Sequence, residues 1–78
     1  MLIYFYDLKI KGIKAYNTLK RRFYYDLGKS KLSTAPFRTK SVLIVPQELE
    51  GCADNFFKKY NEFIEVYKAK TNSIIQLN

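Results

Sequence analysis

The first eight residues, M-L-I-Y-F-Y-D-L, limit what this chain can fold into more than any other stretch. An unbroken apolar and aromatic run from Met1 to Tyr6 favours a pleated strand. The absence of polar alternation predicts burial on both faces, hence a central place in a sheet. The run ends in Asp7, between Tyr6 and Leu8, where a buried strand emerges at the rim of a sheet and functional groups are often displayed.

The rest of the chain supplies partners for that strand. Ile13, Tyr16, Leu19, Phe23 and Leu27 are spaced by three and four residues, which predicts a helix over about 13–27. A polar turn, Lys9 to Gly12, leads into it, and Gly28 is a candidate C-cap. Lys29 to Lys40 reads as a loop rich in Ser, Thr and Lys, in which Pro36 excludes a central ladder position. A strand at about Leu32 to Phe37 is predicted inside it. Ser41 to Pro46, S-V-L-I-V-P, is a second buried central strand ended by its proline.

Glu48 to Tyr60 places Leu49, Cys52, Ala53, Phe56 and Tyr60 on one stripe of a second helix, with Gly51 permitting a start one to three residues later. Glu48, Glu50 and Asp54 near its start and Lys58 and Lys59 near its end complement the helix dipole. Phe63 to Thr71 follows as a partly exposed strand, with Lys68 and Lys70 protecting an edge. A turn at Thr71 to Ser73 precedes a short strand, Ser73 to Leu77, that completes its own sheet or adds to a partner's. This order predicts one α+β domain over 1–78, a ferredoxin-like sandwich whose antiparallel sheet of about four strands carries two helices on one face.

A chain of 78 residues buries only about 60% of its unfolded surface, so dense aromatic packing or dimerisation is needed to hold it. Seven Tyr and six Phe supply the rings, and several Tyr hydroxyls should reach water or a partner. With one cysteine and no histidine, the usual zinc and imidazole chemistries are excluded and a reducing compartment is expected. Cys52, on the helix stripe, reads as packing. The N-terminal run is too short for a membrane span and lacks the basic flank of a signal peptide, so the expectation is a cytoplasmic protein with no membrane partner.

The charge of +7 is unevenly spread: residues 1–40 carry ten Lys or Arg against two acids, and residues 41–78 carry four against five. Such asymmetry points to a polyanion, nucleic acid before an acidic protein surface. Lys14, Thr18, Arg21, Arg22 and Tyr25 share a helix face with Lys20 beside them, and K-R-R-F-Y-Y interleaves cations with rings. Lys14, Lys20, Arg21, Arg22, Lys29, Lys31, Arg38 and Lys40 are the expected phosphate contacts, with Tyr24 or Tyr25 stacking on bases. The bland alternative is a solvated helix face above a core that takes Phe23.

The opening L-I-Y-F-Y-D-L resembles the first strand of the small CRISPR-associated Cas-two proteins, which typically closes in Tyr-Asp. Ser41-Val42-Leu43 is similar to the Ser-Val-Phe of their second strand. The resemblance implies a homodimer of ferredoxin-like units that binds nucleic acid, with Asp7 facing its twin across the dimer axis as a metal-binding and catalytic carboxylate of an endonuclease. The implied cofactor is Mg²⁺ or Mn²⁺, for which one carboxylate is too little and two related by symmetry could suffice. Alternatively Asp7 caps its turn through the amides of Lys9 or Ile10. A reading of another class is a host or viral interaction module, an inhibitor or adaptor that docks on an acidic protein through its rings and terminal strand.

Overall fold

The computed structural model describes residues 1–9, 13–35 and 37–78, with the side chains of Ile13, Lys14, Phe37 and Arg38 left outside that description. The expected turn through Gly12 and the effect of Pro36 lie outside the described residues. The elements are β1 (Leu2–Leu8), α1 (Ile13–Lys29), β2 (Phe37–Arg38), β3 (Val42–Val45), α2 (Glu50–Lys59) and β4 (Ile64–Lys70). The fold is α+β, and every described strand pair is antiparallel. In the order β2-β3-β1-β4, three strands carry the sheet, while β2 is a two-residue addition at one edge.

β1 is central, as its composition predicts, but it is not buried on both faces. Leu2, Tyr4 and Tyr6 are buried, whereas Phe5 is 45% exposed and Asp7 is exposed. The strand alternates in burial without alternating in polarity, because Ile3 and Phe5 are apolar residues on a face that neither helix covers. Antiparallel register puts Val42 and Tyr67 opposite Phe5, and Ile44 and Ala69 opposite Ile3, on that same open face.

The other face carries the core. Leu19, Phe23 and Leu27 of α1 and Ala53, Phe56 and Phe57 of α2 bury themselves with Leu2, Tyr4, Tyr6, Leu43, Val45 and Ile64. Phe23 is the hub: its ring centroid lies 5.5 Å from Tyr6, 5.3 Å from Phe56 and 5.2 Å from Tyr60. Offset and edge-on geometries of this kind add to the stabilisation from burial alone. The tyrosines fit this layer because their hydroxyls leave it at polar exits. The Tyr4 hydroxyl donates to Asp54 at 2.6 Å, Tyr6 to the Thr39 carbonyl at 3.1 Å, and Tyr60 to Asp26.

Three local expectations are corrected, and a fourth, the late start of α2, is met. Gly28 is not a C-cap, since α1 runs through it to Lys29 with no left-handed glycine; Ser30 ends the helix, its Oγ donating to the Leu27 carbonyl at 2.8 Å and accepting from the Leu32 amide. The same Ser30 starts a 3-10 turn over Lys31–Thr34, so no strand forms at Leu32, which is instead wholly buried in the core. Pro46 leads into a 3-10 turn, Gln47–Leu49, and α2 begins at Glu50, within the later start that Gly51 permits. Ser73 to Leu77 is not a strand: the Thr71 amide donates to the Met1 carbonyl, and the segment runs on exposed, bordering a depression with Met1 and Ile44.

β4 keeps Lys68 and Lys70 on the helix side of its edge, and there they meet acids. Lys68 Nζ lies 2.8 Å from Glu50 and 3.0 Å from Asp54, and Lys70 lies 3.7 Å from Glu50. The edge is thus closed by ion pairs to α2 as well as by lysines alone. Among the described residues no helix is long and apolar enough to cross a membrane.

Candidate nucleic-acid interface

α1 packs on the sheet through Leu19, Phe23 and Leu27, so the opposite side of the helix faces outward. Thr18, Arg21, Arg22, Tyr25 and Lys29 are all exposed there, at the three- and four-residue spacings that make neighbours on a helix surface. Lys20 is half-buried, its ammonium 5.7 Å from the centroid of the Tyr16 ring. Lys31 continues the patch beyond the helix end, and Lys40 joins it because the Tyr24 hydroxyl donates to the Lys40 carbonyl at 2.7 Å. The side chains of Lys14 and Arg38 lie outside the described residues.

The two tyrosines proposed for stacking separate clearly. Tyr24 is half-buried, edge-on to Phe23 at 5.3 Å, with its hydroxyl bound to the β2–β3 connection, so it is a structural brace and not a free platform. Tyr25 is 61% exposed among the cations.

The acids decide where the positive charge remains free. Lys59 pairs with Asp26 at 3.6 Å, and Lys68 and Lys70 pair with Glu50 and Asp54. Asp26, the acid of α1, is held below the usual carboxylate range by the hydrogen bond from Tyr60, helped by Lys59 and by the charge of Arg22. Burial and that same bond push the Tyr60 hydroxyl up to about 12. Arg21, Lys31 and Lys40 form no ion pair among the described residues. Among the described residues, Lys59, Lys68 and Lys70 of the C-terminal half are paired with acids and Lys58 is not, while Lys20, Arg21, Lys29, Lys31 and Lys40 are in no ion pair.

Asp7 sits elsewhere, on the open face of the sheet. It lines an open depression of about 430 Å³ with Phe5, Ser41, Val42, Glu65 and Tyr67. The Lys9 amide, one of the two proposed capping donors, is already given to the Phe63 carbonyl at 2.8 Å, and Ile10 lies outside the described residues. Directly across the ladder from Asp7 stands Glu65, whose carboxylate accepts a hydrogen bond from the Tyr67 hydroxyl. The register thus sets two carboxylates side by side on one exposed face. The sequence alone did not expose this pairing, because it requires the β1–β4 register. Among the described residues no group of three or more metal-ligating carboxylate or thiol side chains is present.

Comparison with protein-family models, with curated proteins and with solved structures found no match for the chain. The likeness to the Cas-two proteins therefore stands on the quoted residues themselves.

Proposed function

We propose that the chain is a small nucleic-acid-binding protein that grips phosphates with the outer face of α1 and acts as a homodimer. The observation that carries this is the freedom of cations on and just beyond α1: acids occupy Lys59, Lys68 and Lys70, and leave Arg21 of α1, Lys31 after it and Lys40 of the β2–β3 connection without an ion pair among the described residues. The element order with the sheet order β2-β3-β1-β4 supports the finer, ferredoxin-like assignment, with β2 cut to two residues. The dimer is supported by the open face, where Phe5 is 45% and Tyr67 63% exposed on an apolar patch that neither helix covers.

Binding is expected to weaken steeply with salt, with a log–log slope of about −0.9 per phosphate neutralised on duplex DNA. Removing Arg21 and Arg22 together (Arg21→Gln, Arg22→Gln) should reduce that slope by about two. A fluorescence-anisotropy titration at several salt concentrations checks both, and an unchanged slope in the double variant would move the interface away from α1.

The endonuclease version adds Mg²⁺ or Mn²⁺ at Asp7. Asp7 and Glu65 fit such an ion in chemistry, since Mg²⁺ is commonly held by one or two carboxylates and retains several waters. The ion would supply Lewis-acid activation and a lowered water pKa; the chain's own part is to hold two carboxylates on one face beside Ser41 and Tyr67. Metal-dependent cleavage, if the chain performs it, should vanish in Asp7→Asn, and Mg²⁺ should raise the melting temperature of the wild type but not of that variant.

A second reading is favoured by one observation, the run of exposed apolar residues Ile74, Ile75 (77%) and Leu77 (95%) beside the open face. It makes the chain an interaction module, an inhibitor or adaptor, that docks on another protein by this side. Co-purification of a defined partner, lost on deletion of residues 74–77 while nucleic-acid affinity is absent, would select it.

A further inference from the structure

Tyr25 lies on the exposed α1 face, among its cations. It is 61% exposed, and its one ring contact among the described residues is the Lys29 ammonium, 4.7 Å from its centroid. Arg21 and Arg22, four and three residues before it, and Lys29, four after, surround it with cations on the same face.

From this juxtaposition we infer that the α1 face takes single-stranded nucleic acid, with Tyr25 stacking on an unpaired base while Arg21, Arg22 and Lys29 hold the flanking phosphates. This deepens the proposed function and rests on it. The physical argument is one of economy of contacts. A duplex offers α1 its phosphates, which reward cations, but hides its base faces in the stack, so an exposed ring at the centre of the site gains nothing from it. An unpaired base presents a π-face of any sequence, and stacking on an aromatic side chain is sequence-tolerant. The Lys29 ammonium covers the ring when no base is present, and in the complex it is released to a phosphate. A base then replaces a cation as the ring's neighbour, and the cation gains a stronger electrostatic partner.

The test compares fluorescein-labelled oligo(dT) and oligo(U) of about 20 nucleotides, longer than the site of a small single-strand binder, with a duplex of equal length, by anisotropy at fixed salt. The full chain is expected to bind the single strands more tightly. Tyr25→Ala should weaken single-strand binding roughly 5- to 150-fold, the span of one lost base stack, and change duplex binding less than about two-fold; Tyr25→Phe should restore it. Far-ultraviolet circular dichroism of each variant, expected to match the wild type because Tyr25 is exposed, separates binding from folding. Equal losses on both probes, or no loss on either, overturn the stacking inference and leave a phosphate-only face. Absence of wild-type binding to single strand and duplex alike overturns the proposed function itself.

Discussion

Phe23→Ala is expected to remove a large share of the chain's stability. Phe23 is fully buried, and its ring meets those of Tyr6, Tyr24, Phe56, Phe57 and Tyr60, so it joins α1, α2 and the sheet at one point. Truncating a buried Phe costs about 3–5 kcal/mol, from lost transfer energy and the cavity left behind. At about 0.05–0.15 kcal/mol per residue, the whole domain has on the order of 4–12 kcal/mol to lose. The ring partners cannot collapse into the gap without leaving the hydroxyl exits that fix Tyr6, Tyr24 and Tyr60, which puts the cost near the upper end. Urea denaturation followed by tyrosine fluorescence should show the midpoint falling by about 2 M or more. Phe5→Ala on the open face, where the ring is 45% exposed, should shift the monomer's midpoint far less. If the two variants were equal, the aromatic layer between helices and sheet would not be what holds the fold.

The contrast between Phe23 and Phe5 also marks how far the sequence could be read. Helical spacing found the buried stripes of both helices because one side of each is polar, and the contrast of Leu19, Phe23 and Leu27 with Arg21, Arg22 and Lys29 survives in a linear text. β1 gave no such contrast. Its uncovered residues, Ile3 and Phe5, are as apolar as its buried ones, so a half-exposed strand reads like a fully enclosed one. That ambiguity has a physical source: a face kept apolar without an internal cover is suited to an external one, and the same trait that misleads the reading supports a dimer or a docked partner.

Other misses came from single side chains acting at short range. Ser30 both ends α1 and starts the turn that drops Leu32 into the core, a choice invisible to periodicity. Glu65 meets Asp7 only through the register of two strands separated by most of the chain. The basic helix face was legible because charge needs no register to be counted. Which of Tyr24 and Tyr25 stays free was not, because a turn of about 100° per residue sends adjacent rings to different surroundings.

Acid is expected to destabilise the chain, in a window set by the carboxylates that tie α2 to the sheet and to α1. Asp54 is pushed up by its burial, but hydrogen bonds from Tyr4 and Lys68 outweigh that and hold it below the usual range. The Lys68 hydrogen bond does the same for Glu50, and the Tyr60 bond for Asp26. A carboxylate with a depressed folded pKa contributes stability that is present above its unfolded value, near 4, and lost as pH falls through the folded one. Stability should therefore hold from pH 7 to about 5 and decline below about 4, where protonation also adds to an already positive net charge. The opposite limb follows from Tyr60, whose raised hydroxyl stabilises below pH 10 and ceases to as pH climbs through about 12.

Asp54→Ala isolates the α2 clamp. It leaves the buried Tyr4 hydroxyl with the Glu50 carbonyl at 3.4 Å as its weak remaining acceptor, which costs about 1–2 kcal/mol at pH 7. The deficit relative to wild type should shrink by pH 3, because protonation has by then weakened the same interaction in the parent chain. Urea midpoints of both proteins at pH 7 and pH 3 check this. A wild-type midpoint that does not move between the two pH values would mean that neither tyrosine–carboxylate contact tightens on folding, and α2 would then be held on the sheet by its apolar side, Ala53, Phe56 and Phe57 with Cys52 beside them.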